Sequence, residues 1–411
     1  MIGTDRPTDS VLTELLRARL DPGLRCTGLR RAESGNAQEI WFVDAAGPEG
    51  VEIPLVLRLS AGHGSLAHTD REREVQVLRA LAGTDLPLPK VHWGEGANGA
   101  LGRPYLVMQR LPGRPPAADD EVVARQIGEL LARLHAVAAE LVPGGEGLAA
   151  TTATAAELAG WRRRYQESAG VSVPQLAPLL DWLAANPPAR DGLAATPLWG
   201  DPGPHNVLVE DERVTALLDW ELWHHGDPLE DVGAALWATR GGARDALLAG
   251  YESGAGPVDR TALDWFEAMA CATRSVMLLA GVEAFLAGRG HPSAAGLGHH
   301  LLLSSLARAA ELTDQGTDPT DSDLVPRERP PQRLRPDPPE TVEGIADFLA
   351  AELLPAISDR RLRRELKVGV ALLRDAAVQA AHEDPDPSDL GAQRRAIPNV
   401  EALYEGRSGK R

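Results

Sequence analysis

Lysine is almost absent from this chain. Of its 42 basic residues only Lys90, Lys367 and Lys410 are lysines, and the rest are arginines. Cysteine is scarcer still. Cys26 and Cys271 stand far apart, and neither has a ligand neighbour at metal-binding spacing. That excludes a disulfide framework or a zinc site built on cysteine and leaves two free thiols. Positive charge is short overall, with 42 basic against 59 acidic residues and a net charge of −17. A surface that grips nucleic acid needs clustered basic charge, so no nucleic-acid partner is expected. The acidity suits small cationic substrates, but it also serves plain solubility. Long apolar runs are missing as well. A membrane-spanning helix takes roughly 18 uninterrupted apolar residues. The longest candidate, SVMLLAGVEAFLAG, is shorter and carries Glu283, so it reads as a buried helix, with no membrane partner. The opening MIGTDRPTDSVLTELLRARL has neither the basic stretch nor the apolar core of a secretory leader, which points to the cytoplasm.

What is present is an ordinary globular composition, 43% hydrophobic and 25% charged over 411 residues, enough for a core of normal size. Residues 9–20 carry helical apolar spacing. EIWFVD (39–44) and VEIPLVLRLS (51–60), separated by AAGPEG, read as a hairpin. TDREREVQVLRALAG (69–83) reads as a helix capped by Thr69 or Asp70. LPLPKVHWG is extended, and RPYLVMQRLPG (103–113) is a strand running into a break. From residue 119 the pattern is helix after helix, interrupted by HNVLVEDERVTALLDWE, two short strands joined by a polar turn. Residues 314–338 are proline-rich and charged, with the composition of a linker, and two amphipathic helices are predicted beyond it. The expected organisation is a β-rich lobe at 1–111, a helical lobe at 112–313, the linker, and a small all-helical segment at 339–411. That last piece is marginal alone, so it docks on the lobes or mediates a homodimer or another protein contact.

The chemistry concentrates in PLWGDPGPHNVLV (197–209) and the LLDWE (217–221) that follows. Asn206 and Asp219 lie at the two ends of one short hairpin, which brings an amide oxygen and a carboxylate together. Mg²⁺ takes such hard oxygen ligands. Asp201 is set apart by the Pro-Gly-Pro-His loop, so its carboxylate can face an acceptor instead of the metal. Phosphoryl transfer from ATP needs these parts: a hold on the phosphates, a metal to neutralise them, and an acid that orients the acceptor hydroxyl.

GDPGPHNVLV followed by LLDWELWHHGDPLEDVG resembles the aminoglycoside phosphotransferase and choline kinase-like family, nearest the branch whose kinase domains occur beside or fused to acyl-CoA dehydrogenases. The resemblance runs over about residues 10–313. It implies an α+β, two-lobed protein kinase-like fold, with a small β-rich N-lobe and a larger helical C-lobe. It implies Asp201 as catalytic base and Asn206 and Asp219 as Mg²⁺ ligands, with ATP as phosphoryl donor and a small hydroxylated molecule as acceptor. In the first lobe it places Ser34, Gly35 and Gln38 at the phosphate-covering turn, and Arg58 where kinases usually carry lysine. Glu74 would be the ion-pair partner of Arg58, with Glu72 the alternative. Met108 would line the adenine pocket, and Gln109 to Leu111 would form the hinge. The acceptor it suggests is a hydroxyacyl-CoA or an aminoglycoside-like compound.

Two positions depart from the family pattern. Trp199 stands where the family has histidine, and Arg58 replaces lysine. An indole can still pack and donate one hydrogen bond, and guanidinium still binds phosphate, though in a different geometry. Both departures also suit a weakly active or inactive nucleotide-binding scaffold, the competing expectation. A metallohydrolase around His224 and His225 is a third, without a second set of ligands at matching spacing. His135, on a leucine-rich face, reads as a core histidine, and Asp231 as a holder of the catalytic-loop backbone.

Overall fold

The structure, a computed structural model, describes residues 7–313 except 33–37, 61–69, 97–98, 168–172, 174 and 287–292, together with the single positions 345 and 349. The chain divides into two units, Met1–Gly316 and Thr317–Arg411. The predicted linker and the helices after it lie outside the described residues, apart from those two single positions. Every element below belongs to the first unit.

Its β-rich part is one antiparallel sheet of five strands, β1 (Arg25–Arg31), β2 (Gln38–Ala46), β3 (Glu52–Ser60), β4 (Val91–Glu95) and β5 (Tyr105–Gln109), in the order β1-β2-β3-β5-β4. Two helices accompany it, α1 (Asp9–Arg19) and α2 (Arg71–Leu81). The predicted hairpin is β2 and β3, in register from Gln38 opposite Ser60 to Ala46 opposite Glu52. Side chains alternate across a strand. Leu55, Leu57 and Leu59 of β3 therefore pack with Trp41, Val43, Tyr105 and Val107 against Leu12, Leu15 and Leu16 of α1. The intervening residues turn to the other face, where Val56 meets Leu106, Met108 and the α2 residue Val75. Arg58 belongs to that second face. The alternation that buries three leucines on one side thus delivers a guanidinium to α2. β1 was not anticipated. It is an edge strand, mostly exposed and bulged between Cys26 and Gly28, so it has no apolar alternation to read.

The second part is helical: α3 (Glu121–His135), α4 (Ala150–Glu167), α5 (Leu176–Ala185), α6 (Pro228–Ala238), α7 (Ala243–Ala255), α8 (Arg260–Leu286) and α9 (Ser293–Leu312). Between α5 and α6 run four short strands: β6 (Thr196–Leu198), β7 (Val207–Glu210), β8 (Arg213–Leu217) and β9 (His224–Gly226). β7 and β8 form the predicted small hairpin. Asp211 and Glu212 at its tip have φ of 49° and 61°, the left-handed pair that a tight two-residue loop needs. β6 pairs with β9, which the sequence did not reveal. Three-residue strands carry too little periodicity.

α3 and α7 cross at very close range. A methyl group added at Gly250 would lie 2.1 Å from the Arg125 carbonyl oxygen, and one at Gly128 would lie 2.0 Å from that of Leu247. The helices can touch there only because both positions lack a side chain. Gly250→Ala is therefore expected to destabilise the protein by about 1–3 kcal/mol through overpacking, read as a lowered midpoint in urea unfolding.

Candidate active site

The loop after β6 is held from below by one carboxylate. Asp231, buried on α6, accepts the N–H of Trp199 at 2.7 Å and that of Gly200 at 2.9 Å. His135 lies 3.2 Å from the same carboxylate and 3.0 Å from the Tyr251 hydroxyl, so it is a core histidine that braces Asp231. The start of α6 is itself fixed by a capping box between Asp227 and Glu230, with Pro228 in the first turn. Arg190 grips Asp227 through two bonds, of 2.7 and 3.0 Å.

Trp199 is fully buried. Its indole donates to the Leu218 carbonyl at 2.8 Å and stacks on Trp220, with ring centres 5.8 Å apart and planes at 23°. The bulk that distinguishes tryptophan from histidine is thus taken up by a second tryptophan, and its single donor is used. Gly200 follows with φ of 88°, and a side chain there would lie 2.2 Å from the Leu222 carbonyl. Only glycine fits, and Asp201 is thereby turned outward.

Asp201 is held at both oxygens. Oδ1 lies 2.9 Å from the Arg274 guanidinium; Oδ2 lies 2.9 Å from the Asn206 amide nitrogen and 3.3 Å from His205. Burial alone would raise its pKa. Arg274, His205 and Asn206 overcome that and hold the carboxyl well below the usual range, so it is ionised at neutral pH. The Asn206 amide also donates to the Asp201 backbone carbonyl at 2.9 Å. Its nitrogen is thus committed to Asp201 and its oxygen is the atom left for a cation. The backbone pair Leu218 N–H to Asn206 C=O, at 2.8 Å, brings Asp219 beside it. Asp219 sits in the left-handed region at φ 60°, a conformation aspartate tolerates better than most residues.

Asp219 is ion-paired with Arg58 from the sheet. Arg58 is buried and donates to Glu74 at 2.6 Å and to the Gln38 side-chain carbonyl at 2.9 Å. Glu74 is also buried, whereas Glu72 points to solvent. The second oxygen of Glu74 takes Arg71, which reaches on to Glu221 at 3.0 Å and to the Ser60 hydroxyl at 3.2 Å. Gln38 closes the ring by donating to Glu221. Burial opposes the charge on Glu74, but the two guanidinium groups keep it ionised. Glu221 goes the other way: burial and the adjacent Asp219 push its carboxyl up despite both arginines.

The structure thus joins Gln38, Arg58, Glu74 and Asp219 in one set of contacts and Asn206 and Asp201 in another, and the Leu218–Asn206 backbone pair brings the two sets together. Met108 is buried on the sheet face that carries Arg58. Gln109 is exposed at the end of β5, with its N–H bonded to the Lys90 carbonyl, and Leu111 is half-buried just beyond. Ser34 and Gly35 lie outside the described residues. Arg71 and Arg274 were not anticipated. The only sign of Arg274 in the sequence is a lone charge inside a long apolar run.

Behind Gly200 is a small cavity of about 30 Å³ whose walls include Glu157, Trp161, His224, Glu230 and Phe266. His224 donates from Nε2 to the Glu230 carboxylate at 3.0 Å. Burial would lower its pKa, but Glu157 and Glu230 outweigh it and push it up to about 10. The folded value lies above the ordinary 6.5, so this contribution to stability is complete below pH 6.5 and is lost as pH rises through about 10. His224→Gln is expected to flatten the fall of the thermal midpoint across that window. Among the described residues, no group of three or more His, Cys, Asp or Glu side chains is arranged to hold a metal ion. No described helix is long and apolar enough to cross a membrane.

The model of the "Phosphotransferase enzyme family" matches residues 28–266. Among curated proteins, the chain is 30% identical over 230 residues to acyl-CoA dehydrogenase family member 11 of Gallus gallus, a match that covers 51% of this chain and 28% of that protein. It is 33% identical over 180 residues to viomycin phosphotransferase of Streptomyces vinaceus, covering 40% of this chain and 61% of that one. Less than two thirds of either relative is therefore represented. Of solved structures, a Ralstonia eutropha protein assigned to the aminoglycoside phosphotransferases superposes with a TM-score of 0.58 at 20% identity, covering 75% of this chain and 99% of that one. The GDP and kanamycin complex of APH(2")-IIia gives 0.52 at 15% identity, covering 74% and 99%. These likenesses are of fold: an antiparallel sheet followed by a helical part, arranged as in kinase-like phosphotransferases.

Proposed function

The chain belongs to the phosphotransferase enzyme family, and from that premise we propose that it transfers the terminal phosphoryl group of ATP to a hydroxyl of a small metabolite. The observation that carries this is the placing of Asp201 and Asn206 in direct contact and of Asp219 next to Leu218, which pairs with Asn206, opposite Arg58 of the sheet and Glu74 of α2. Asp201 orients the acceptor hydroxyl. Its carboxylate is ionised but held at low basicity, so the proton moves to it late, as the new P–O bond forms. Arg58 meets the phosphates. Residues 1–111 form the nucleotide lobe, with Ser34, Gly35 and Gln38 at the phosphates and Met108, Gln109 and Leu111 around the base.

Asn206 and Asp219 fit Mg²⁺, since they offer a free amide oxygen and a carboxylate, both hard donors. When bound, the metal neutralises phosphate charge. The acceptor is sought in two classes: acyl-CoA thioesters that carry a hydroxyl, since one relative is named for acyl-CoA, and compounds such as viomycin, since another is named viomycin phosphotransferase.

One observation favours a second reading, an inactive nucleotide-binding scaffold: Arg58 is paired directly to Asp219, so a metal must compete with a guanidinium. Calorimetric titration with Mg·ATP, followed by ADP release across hydroxyacyl-CoAs, viomycin, kanamycin and choline, separates the two. Binding with turnover on one acceptor is expected. Binding with no turnover supports the scaffold, and no binding defeats both.

A further inference from the structure

Arg274 stands on α8, outside every motif that pointed to the site. It is only 6% exposed. Its Nη2 donates at 2.7 Å to the Gly200 carbonyl and lies 2.9 Å from Asp201 Oδ1. Its Nη1 meets only the sulfur of Met277, at 3.5 Å, and its Nε–H is buried with no hydrogen-bond partner among the described residues. That is an unusual way to bury an arginine. Buried donors are normally paired, and a buried ion pair is often no more stabilising than apolar side chains of the same volume. Here the strong hydrogen bond and the ion pair fall on two consecutive residues of one loop, Nη1 has only a sulfur as its partner among the described residues, and the Nε–H has none. Stability alone does not account for that distribution.

We propose that Arg274 is a positioning residue for Asp201, an inference that rests on the phosphotransferase reading above. With Oδ1 held by Arg274 and Oδ2 by Asn206 and His205, the carboxylate cannot rotate, and the second lone pair of Oδ1 is left for the acceptor hydroxyl. Through the Gly200 carbonyl the same guanidinium ties the loop backbone to α8, a helix of 27 residues. Side chain and backbone are therefore referred to one rigid element, the condition under which a reacting group keeps its geometry. A neutral or shorter side chain at 274 frees the carboxylate without touching nucleotide.

The test uses the full chain with Mg·ATP and the most active acceptor of the panel above, or water if none exceeds it. A misplacement of about 1 Å costs on the order of 10²-fold in rate, so Arg274→Ala is expected to lower kcat by about that factor. Its KM for ATP and Mg·ATP dissociation constant should stay within roughly 3-fold of wild type. Arg274→Lys should recover part of the rate. Added guanidinium ion should restore turnover in Arg274→Ala but not in Asp201→Asn. The proposal is overturned by a kcat near wild type, or by a loss of rate matched by equal loss of ATP affinity and recovered by neither lysine nor guanidinium. If Arg274→Ala does not fold, Arg274→Lys decides by the same split of kcat from KM. Failure of the wild type to bind Mg·ATP is a different result, and it strikes the phosphotransferase reading itself.

Discussion

Asp201→Asn is expected to lower phosphoryl transfer by about 10²–10⁴-fold while Mg·ATP still binds. The isosteric amide keeps volume and can still accept one bond from Arg274 or Asn206, so the loop keeps its course. What it loses is the negative charge that orients the acceptor hydroxyl and the site that takes its proton. In the proposed arrangement ATP is held elsewhere, by Arg58 and its neighbours; the described contacts of Arg58 run to Asp219, Glu74 and Gln38 and not to Asp201. The measurement is kcat on the most active acceptor beside calorimetry with Mg·ATP, with thermal unfolding as a control. Turnover within a few-fold of wild type would remove Asp201 from the reaction.

The second large effect is on stability. Glu74→Gln is expected to cost about 3–5 kcal/mol, the usual result of removing one partner from a buried ion pair. That is a large share of the roughly 5–15 kcal/mol by which a domain is stable. Glu74 is completely buried and serves two guanidinium groups at once, Arg58 and Arg71. Two other carboxylates face those arginines, Asp219 and Glu221, but burial and mutual repulsion push Glu221 toward its neutral form. The charges then balance only while Glu74 remains ionised. A glutamine accepts from one arginine and leaves the other in a low-dielectric site without compensation. Urea unfolding measures the loss, and a shift of only a few tenths of a kcal/mol would show that solvent or Asp219 takes over the charge.

The residues of the catalytic loop were legible because they are close in sequence and because a hairpin brings its own ends together. Two short strands with a polar turn bring Asn206 opposite Leu218 and so place Asp219 close to it. Arg58 and Glu74 were nearly as legible. A strand with leucine at every second position must send the arginine to the opposite face, and a helix packed on that face must present a residue to it. The resemblance favoured Glu74 and left Glu72 as the alternative, and the rotation of α2 on the sheet puts Glu74 against Arg58 and leaves Glu72 exposed.

Elements with little pattern of their own stayed hidden: β1, because an exposed edge strand need not alternate, and the β6–β9 pair, because three residues carry no period. Arg274 was hidden for a different reason. It acts on a residue 73 positions away, and no local rule links a helix to a loop that distant. Trp199 shows the same division. That tryptophan departs from the family's histidine was plain from the amino acids alone. That it is accommodated depends on Trp220 stacking against it and on the Leu218 carbonyl lying where the indole N–H points. Local spacing, with the family resemblance it carries, picked out the proposed base and metal-ligand pair, since neighbours along the chain stay neighbours in space. Packing between distant helices and loops decided how the base is held, because that depends on distances no spacing along the chain encodes.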